Sequence, residues 1–206
     1  MSDNKILIFD IGANKGNFSK KYIEKCRIVA AEPNPVLIKE IKNTFLNQDL
    51  IIEECAASNK NGEIDFYICL DDQMSSCNKD WLTVLRYKNA GIREKIKVKT
   101  ITLDSLIEKH GIPYHIKIDV EGYEAEVLNG LNKKIKSIQF EYIKENFEDL
   151  TVPAILRLKE IGYSKFKIND SKPVKLEISK NDIIKIQEKN SLDMEIYEYV
   201  RKSEKR

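Results

Sequence analysis

The segment Asp10-Ile11-Gly12-Ala13-Asn14-Lys15-Gly16 constrains the fold of this chain more than any other. It follows a short apolar run at residues 6–10 and precedes a stretch, 17–26, where Phe18, Tyr22 and Ile23 recur at helical spacing. A strand that enters a helix through two glycines opens a β-α unit, because glycine tolerates the backbone conformations of such a turn. The pattern then repeats. A second apolar run at 28–31 ends at Glu32, Pro33-Asn34-Pro35 breaks the chain, and Leu37, Ile38, Ile41 and Phe45 mark the next helix. Residues 50–56 read as a third strand. This β-α-β-α-β order predicts an α/β fold with a mostly parallel sheet, right-handed crossovers and helices on both faces.

The middle of the chain departs from simple alternation. Residues 63–70 and 95–101 have period-two patterning, which predicts two added strands flanking a polar connection at 71–90. An inserted β/loop segment at about 63–101 is therefore expected, and a connection that long inside a domain commonly serves binding. Ser75, Ser76 and Trp81 are its expected substrate contacts, since hydroxyls hydrogen-bond a sugar and an indole stacks on one. Trp81 serves equally well as an anchor of the loop in a core. Alternation then resumes, with a helix at 103–110 capped from Thr102 or Asp104, a strand at 115–119 and a helix at about 123–131. A strand at 135–141, a helix at 152–161 and strands at 166–168 and 194–200 complete the expectation, with a helix the reading for the weakly patterned 172–190. No repeat or low-complexity linker divides the chain, so one domain over 1–206 is expected.

Thirty-five basic residues against 33 acidic ones leave a net charge of +2, too little to steer the whole protein toward nucleic acid. No apolar run approaches the roughly 18–20 residues of a membrane span, and the N-terminus lacks a signal-peptide layout. Cys26, Cys55, Cys69 and Cys77 show neither C-x-x-C nor metal-ligand spacing. They read as free thiols of a cytoplasmic protein.

The chemistry concentrates at three places. The first is the glycine turn with the start of its helix: Gly12, Ala13, Asn14, Gly16, Asn17 and Phe18. A helix N-terminus with unpaired N–H groups suits a carboxylate, and Asp10 just before it suits an amino group, so a zwitterionic ligand fits better than a pyrophosphate. The spacing is G-x-x-x-G, neither the G-x-G-x-x-G of dinucleotide enzymes nor a P-loop. The second is Glu32, 20 residues beyond Gly12, with Pro33 behind it; an acid there accepts hydrogen bonds from both hydroxyls of a ribose. Ala56, Ala57 and Ser58 at the end of the third strand would line the adenine side. The third is Lys117-Ile118-Asp119-Val120-Glu121-Gly122. Alternation puts Lys117 and Asp119 on one side of a strand, Glu121 lies in the turn beyond, and Glu141 ends the next strand. Asp119, Glu121 and Glu141 could orient a hydroxyl, take its proton or together hold Mg²⁺ or Mn²⁺. Lys117 and Asp119 also make a plausible structural ion pair. His110 reads as a helix-end residue, His115 as a second-choice base, and Asp104 as a cap.

The ordered set Phe9–Gly16, Glu32-Pro33-Asn34-Pro35, Thr102–Leu106 and Ile116–Gly122 resembles the FkbM methyltransferase family, from about Ile6 to Glu141. The resemblance implies a Rossmann-like class I methyltransferase fold, S-adenosylmethionine as donor, and a hydroxyl acceptor on a sugar, glycan or natural product. It places Asp10, Gly12, Asn14, Gly16 and Glu32 at cofactor positions, and Asp119 and Glu121 beside the site of transfer, Asp119 bordering the cofactor as well. Three other functions compete. A nicotinamide oxidoreductase is disfavoured by the glycine spacing, and a nucleic-acid methyltransferase by the charge balance and the lack of an Asn-Pro-Pro-Tyr-like tetrapeptide. A noncatalytic adenosyl-binding protein stays open.

Overall fold

The structure, a computed structural model, describes residues 5–83, 91–141, 150–168, 174–175 and 193–197. Strand β1 (Ile6–Ile11) passes through the glycine turn into helix α1 (Asn17–Tyr22), followed by β2 (Cys26–Ala31), α2 (Pro35–Thr44) and β3 (Leu50–Glu53). Three strands, β4 (Ala56–Ala57), β5 (Gly62–Cys69) and β6 (Ile92–Ile101), come next, then α3 (Leu103–His110), β7 (His115–Ile118), α4 (Glu124–Asn129) and β8 (Ser137–Glu141). Helix α5 (Val152–Glu160), β9 (Lys165–Ile168), β10 (Val174–Lys175) and β11 (Asp193–Tyr197) complete the described chain. The main sheet runs β10-β9-β11-β8-β7-β1-β2-β3. Its contiguous strands β8, β7, β1, β2 and β3 are mutually parallel, and β11 is antiparallel to both its neighbours.

Both faces of the sheet are covered, as the nearly continuous apolar runs of its inner strands require. On one face Phe9, Ile11, Ile116, Ile118 and Phe140 pack against α3, α4 and α5 through Leu106, Val127, Leu128 and Leu158. On the other Ile8, Ile28 and Ala30 meet Ile23 beyond α1, Ile41 of α2 and Phe45 just past the end of α2. Each fully buried Ile or Phe contributes about 1.5–3 kcal/mol, so the faces rather than local propensity hold these short helices. The chain winds from β1 through β2 to β3 in one direction and through β7 to β8 in the other. That reversal opens a crevice at the carboxyl ends of β1, β2 and β7, where open α/β sheets bind ligands.

The expected strand at 50–56 is two strands. It breaks after Glu53, and Ala56–Ala57 leaves the main sheet to pair with β6 in a second sheet ordered β4-β6-β5. Ala56, Phe66, Ile68 and Val98 give this small sheet its own core. Of the two caps expected for α3, Thr102 is the cap, accepting from the Ser105 N–H at 3.0 Å. Asp104 instead accepts from the Asn132 N–H and side-chain amide at 3.0 and 2.8 Å. The expected strand at 194–200 is β11, while residues 84–90, 198–200 and most of 172–190 fall outside the described residues. No described helix is long and apolar enough to cross a membrane, and all four cysteines are free.

Candidate active site

A cleft of about 370 Å³ opens at the crevice, within the usual size of a small-molecule site. One wall is the turn, with Gly12, Ala13, Asn14, Asn17 and Phe18. Glu32, Pro33 and Leu37 continue it, Ala56, Ala57 and Phe66 form an apolar floor, and the inserted segment adds Asp72, Gln73, Ser75 and Cys77. Lys117, Asp119, Val120, Glu121 and Tyr123 close the far side.

The turn does not work as its sequence suggests. The Gly12 and Ala13 N–H groups donate to the Ala31 carbonyl at 3.0 and 3.2 Å, and that of Gly16 to the Ala13 carbonyl at 2.8 Å. The Asn14 N–H donates to Glu32 Oε2 and the Lys15 N–H to Asn14 Oδ1, both at 2.8 Å. These five donors of the turn are taken up within the protein, which leaves the expectation of open N–H groups to the start of α1 at Asn17 and Phe18. The glycines serve close packing as well. A Cβ on Gly12 would lie 1.9 Å from the Asp119 carbonyl oxygen, and one on Gly16 would lie 2.5 Å from the Phe45 ring. Asp10 and Gly16 stand behind the cleft wall. Asp10 is fully buried, accepts from Ser19 Oγ at 2.7 Å and lies 3.4 Å from Lys117 Nζ, so it supports the turn rather than meeting an amino group.

Glu32 does reach the cleft. It is buried, and its two oxygens accept the Asn14 and Asn34 N–H groups at 2.8 and 2.9 Å. Burial pushes its pKa up to about 7, against the pull of those two donors and of Lys117. Each oxygen keeps a further acceptor position. A ligand whose hydroxyls donate to this carboxylate favours the ionised form, so its affinity should rise from about pH 6 through pH 7 and level off near pH 8. Calorimetry with S-adenosylmethionine across that range reads the effect; Glu32→Gln, which turns one acceptor into a donor facing backbone N–H, should cost about 10- to 100-fold in affinity. Flat, wild-type affinity in both experiments contradicts the role.

On the far side the carboxylates of Asp119, Glu121 and Glu141 converge, with one oxygen of each within 4.8 Å of the others. Lys117 Nζ donates to the Gly12 carbonyl at 3.0 Å and pairs with Asp119 at 3.2 Å. Burial alone would lower its pKa, but Asp10 and Asp119 outweigh that and raise it, so the ammonium is pinned in its charged form. It ties the turn after β1 to the acid after β7. Glu121 adopts φ 54, a left-handed conformation uncommon for a residue with a side chain.

Ser75 lies on the cleft wall, its Oγ accepting the Cys69 N–H at 3.1 Å. Ser76 and Trp81 do not. Ser76 is fully buried and donates to the Glu121 carbonyl at 2.7 Å. Trp81 is 1% exposed and packs with Cys69, Met74, Leu82 and Leu150, so it anchors the insert. His115 starts β7 and is not among the cleft's lining residues; its ring stacks behind Phe18 with centroids 6.0 Å apart, burial lowers its pKa to about 4, and Nδ1 meets Ser137 Oγ at 2.9 Å. His110 pairs with Glu53 at 2.6 Å. Neither serves the cleft as a base. Ser58, expected on the adenine side, instead hydrogen-bonds Tyr123 at 3.2 Å. Sequence reasoning gave no role to Glu124, whose pKa burial pushes up to about 7 and which accepts the Val120 N–H at 3.0 Å. An acid three residues into the turn after Glu121 is a capping signal that could have found it. It also missed Cys77, whose thiol burial pushes up to about 12, leaving it inert on the wall.

An open sheet with this strand order, two antiparallel strands (β11 and β10) toward one edge, and a cleft flanked by an acid ending β2 define a class I methyltransferase fold, the S-adenosylmethionine-dependent type. The chain belongs to the methyltransferase FkbM domain family, whose model matches residues 10–165. Hexuronic acid methyltransferase AglP of Haloferax volcanii is 26% identical over 138 residues, 65% of this chain and 53% of that protein. The chain thus spans about half the length of that relative. Precorrin-6y C5,15-methyltransferase of Geobacter metallireducens GS-15 superposes with a TM-score of 0.50 at 12% identity, over 95% of this chain and 80% of the other. At that identity the likeness is one of fold.

Proposed function

We propose that the chain is an O-methyltransferase acting on a hydroxyl of an uncharged sugar or glycosylated small molecule. The observation that carries this reading is the convergence of Asp119, Glu121 and Glu141 at the cleft that Glu32 borders from the opposite side. The chemistry of the walls suits S-adenosylmethionine. Glu32 offers acceptors for ribose hydroxyls, while Leu37, Ala56, Ala57 and Phe66 offer a small and apolar surface for a flat base. Asn14, Asn17 and Phe18 border the rest. Bound there, the cofactor supplies an electrophilic methyl carried on sulfonium.

Asp119 is the group we assign to the acceptor. Its side chain is 45% exposed, so a hydroxyl can reach it and a proton taken from that hydroxyl can pass to water. The hydrogen bond orients the oxygen, and proton transfer to the carboxylate keeps the forming ether from carrying positive charge. Lys117 holds Asp119 in place. Three carboxylates are also the hard oxygen donors that Mg²⁺ or Mn²⁺ takes, and a cation among them would lower the pKa of the hydroxyl.

The acceptor's charge follows from the wall. Asp119 and Glu121 line the acceptor side with Glu141 beside them, and Lys117, the one basic side chain among the described lining residues, is already engaged. An anionic acceptor would meet like charge, which costs binding unless a cation bridges. Without added metal, neutral hexosides should therefore be methylated at least about tenfold more efficiently than the corresponding hexuronides. An acceptor panel with labelled cofactor, run with chelator and with Mg²⁺ or Mn²⁺ restored, tests this. Activity lost to chelator and regained with metal assigns the three acids to a cation; activity untouched by chelator assigns Asp119 as the base. Tight cofactor binding with no transfer to any acceptor contradicts the enzyme and favours a noncatalytic adenosyl-binding protein.

A further inference from the structure

We infer that the inserted segment is a clamp on the Glu121-Gly122 turn, with Ser76 and Asn78 as positioning residues that hold the acidic side of the cleft in its working shape. This rests on the proposed methyl transfer. The segment was expected to touch the acceptor. Asp72, Gln73 and Ser75 do line the cleft, but Ser76 and Asn78 reach the turn's backbone instead. Ser76 Oγ donates to the Glu121 carbonyl at 2.7 Å and lies 3.4 Å from that of Val120. Asn78 Nδ2 donates to the next carbonyl, Gly122, at 2.8 Å.

Both donors are themselves oriented. The Asn78 N–H donates to Ser76 Oγ at 2.9 Å, which directs the serine proton toward the turn. Asn78 Oδ1 accepts the N–H groups of Asp80 and Trp81 at 3.0 and 3.4 Å, which fixes which end of the amide faces Gly122. The Trp81 ring then fills the space above Gly122, where a Cβ would lie 2.8 Å from it. Glu124 holds the same turn from within by accepting the Val120 N–H.

The held residue needs holding. Glu121 has φ 54 and Gly122 φ 81, so two successive residues are left-handed, a conformation that persists only when the surroundings over-determine it. Glu121 lines the cleft and contributes to the acid cluster, so the direction of its carboxylate depends on that backbone. The other end of the segment meets the cofactor side, where the Asp72 carbonyl accepts from Asn14 Nδ2 at 3.4 Å. One short stretch thus spans both halves of the cleft.

Ser76→Ala removes one donor and Asn78→Asp removes the other while keeping the oxygen that caps Asp80 and Trp81. Each should lower kcat about 10- to 100-fold with the affinity for S-adenosylmethionine and the unfolding midpoint near wild type; Lys79→Ala, exposed on the same segment, should leave kcat unchanged. Amide hydrogen exchange at residues 120–123 should quicken at least about tenfold in both variants, a readout that needs no acceptor. Wild-type kcat in both variants overturns the inference, as does unchanged exchange. A fall in kcat accompanied by equal losses of cofactor affinity and unfolding midpoint shows a merely structural role. If the wild-type protein methylates nothing, the functional proposal fails and the exchange experiment alone decides the clamp.

Discussion

Asp119→Asn is expected to lower kcat by about 10²–10⁴, the usual worth of a general base, while the fold and cofactor affinity survive. Asparagine keeps the shape and can still accept a hydrogen bond, but it removes the charge that takes the proton. Lys117 would lose one partner and keep the Gly12 carbonyl and Asp10, so the link between the two strand ends should hold. Single-turnover kinetics on a neutral sugar acceptor, with calorimetric measurement of cofactor binding, read the two effects separately. Full turnover by the variant would reduce Asp119 to a structural partner of Lys117.

Gly12→Ala is expected to cost about 2–5 kcal/mol of folding stability, a large share of the 5–15 kcal/mol typical of a domain. Two costs add. Alanine at φ 72 pays about 1–2 kcal/mol for a left-handed conformation, and its methyl would press on the Asp119 carbonyl, forcing a shift worth about 1–3 kcal/mol more. Gly162→Ala carries a backbone cost with no packing cost, because φ there is 103 and nothing lies within 4 Å of the new Cβ. Its backbone cost is the larger of the two, since φ 103 lies farther from the left-handed well than φ 72, so an excess cost of Gly12→Ala in denaturant unfolding is a lower bound on the packing cost. A Gly12→Ala variant more stable than Gly162→Ala would show that the ends of β1 and β7 yield freely. The comparison also shows why substitutions at Gly12 are poor probes of cofactor binding: they act first on Asp119's backbone.

Much of this geometry was legible in the sequence, for reasons that parallel sheets make general. Strands that run the same way end at the same edge, so acids ending the second strand, the 115–119 run and the 135–141 run had to arrive at one crevice. Glu32, Asp119, Glu121 and Glu141 accordingly fall where expected. Asp10 was misread because its partner is 107 residues away. Lys117 sits opposite it in the β1–β7 register, a neighbour visible only once those strands are known to pair. The turn's N–H groups were misread similarly, since nothing local shows that Glu32 bends back to take one of them.

Ser76 and Trp81 mark a deeper limit. A polar residue and an aromatic in a long connection look the same whether they face a ligand or the chain's own turn 45 residues on. Nor does the apolar stretch at 50–56 reveal that it changes sheets, because Ile51 and Ala56 are equally at home in either core. Glu124 carries a signal, an acid at a helix start, but the same signal marks ordinary caps elsewhere in the chain.

The central claim is that this cleft moves a methyl group onto a hydroxyl oxygen. Incubation with S-adenosylmethionine carrying an isotopically labelled methyl and with neutral glycosides, followed by mass spectrometry and NMR of the product, tests it most directly. The account predicts a single labelled methyl ether on a sugar oxygen, formed by the wild-type protein and lost with Asp119→Asn. Label on nitrogen or carbon, or an Asp119→Asn product equal to that of wild type, would contradict it.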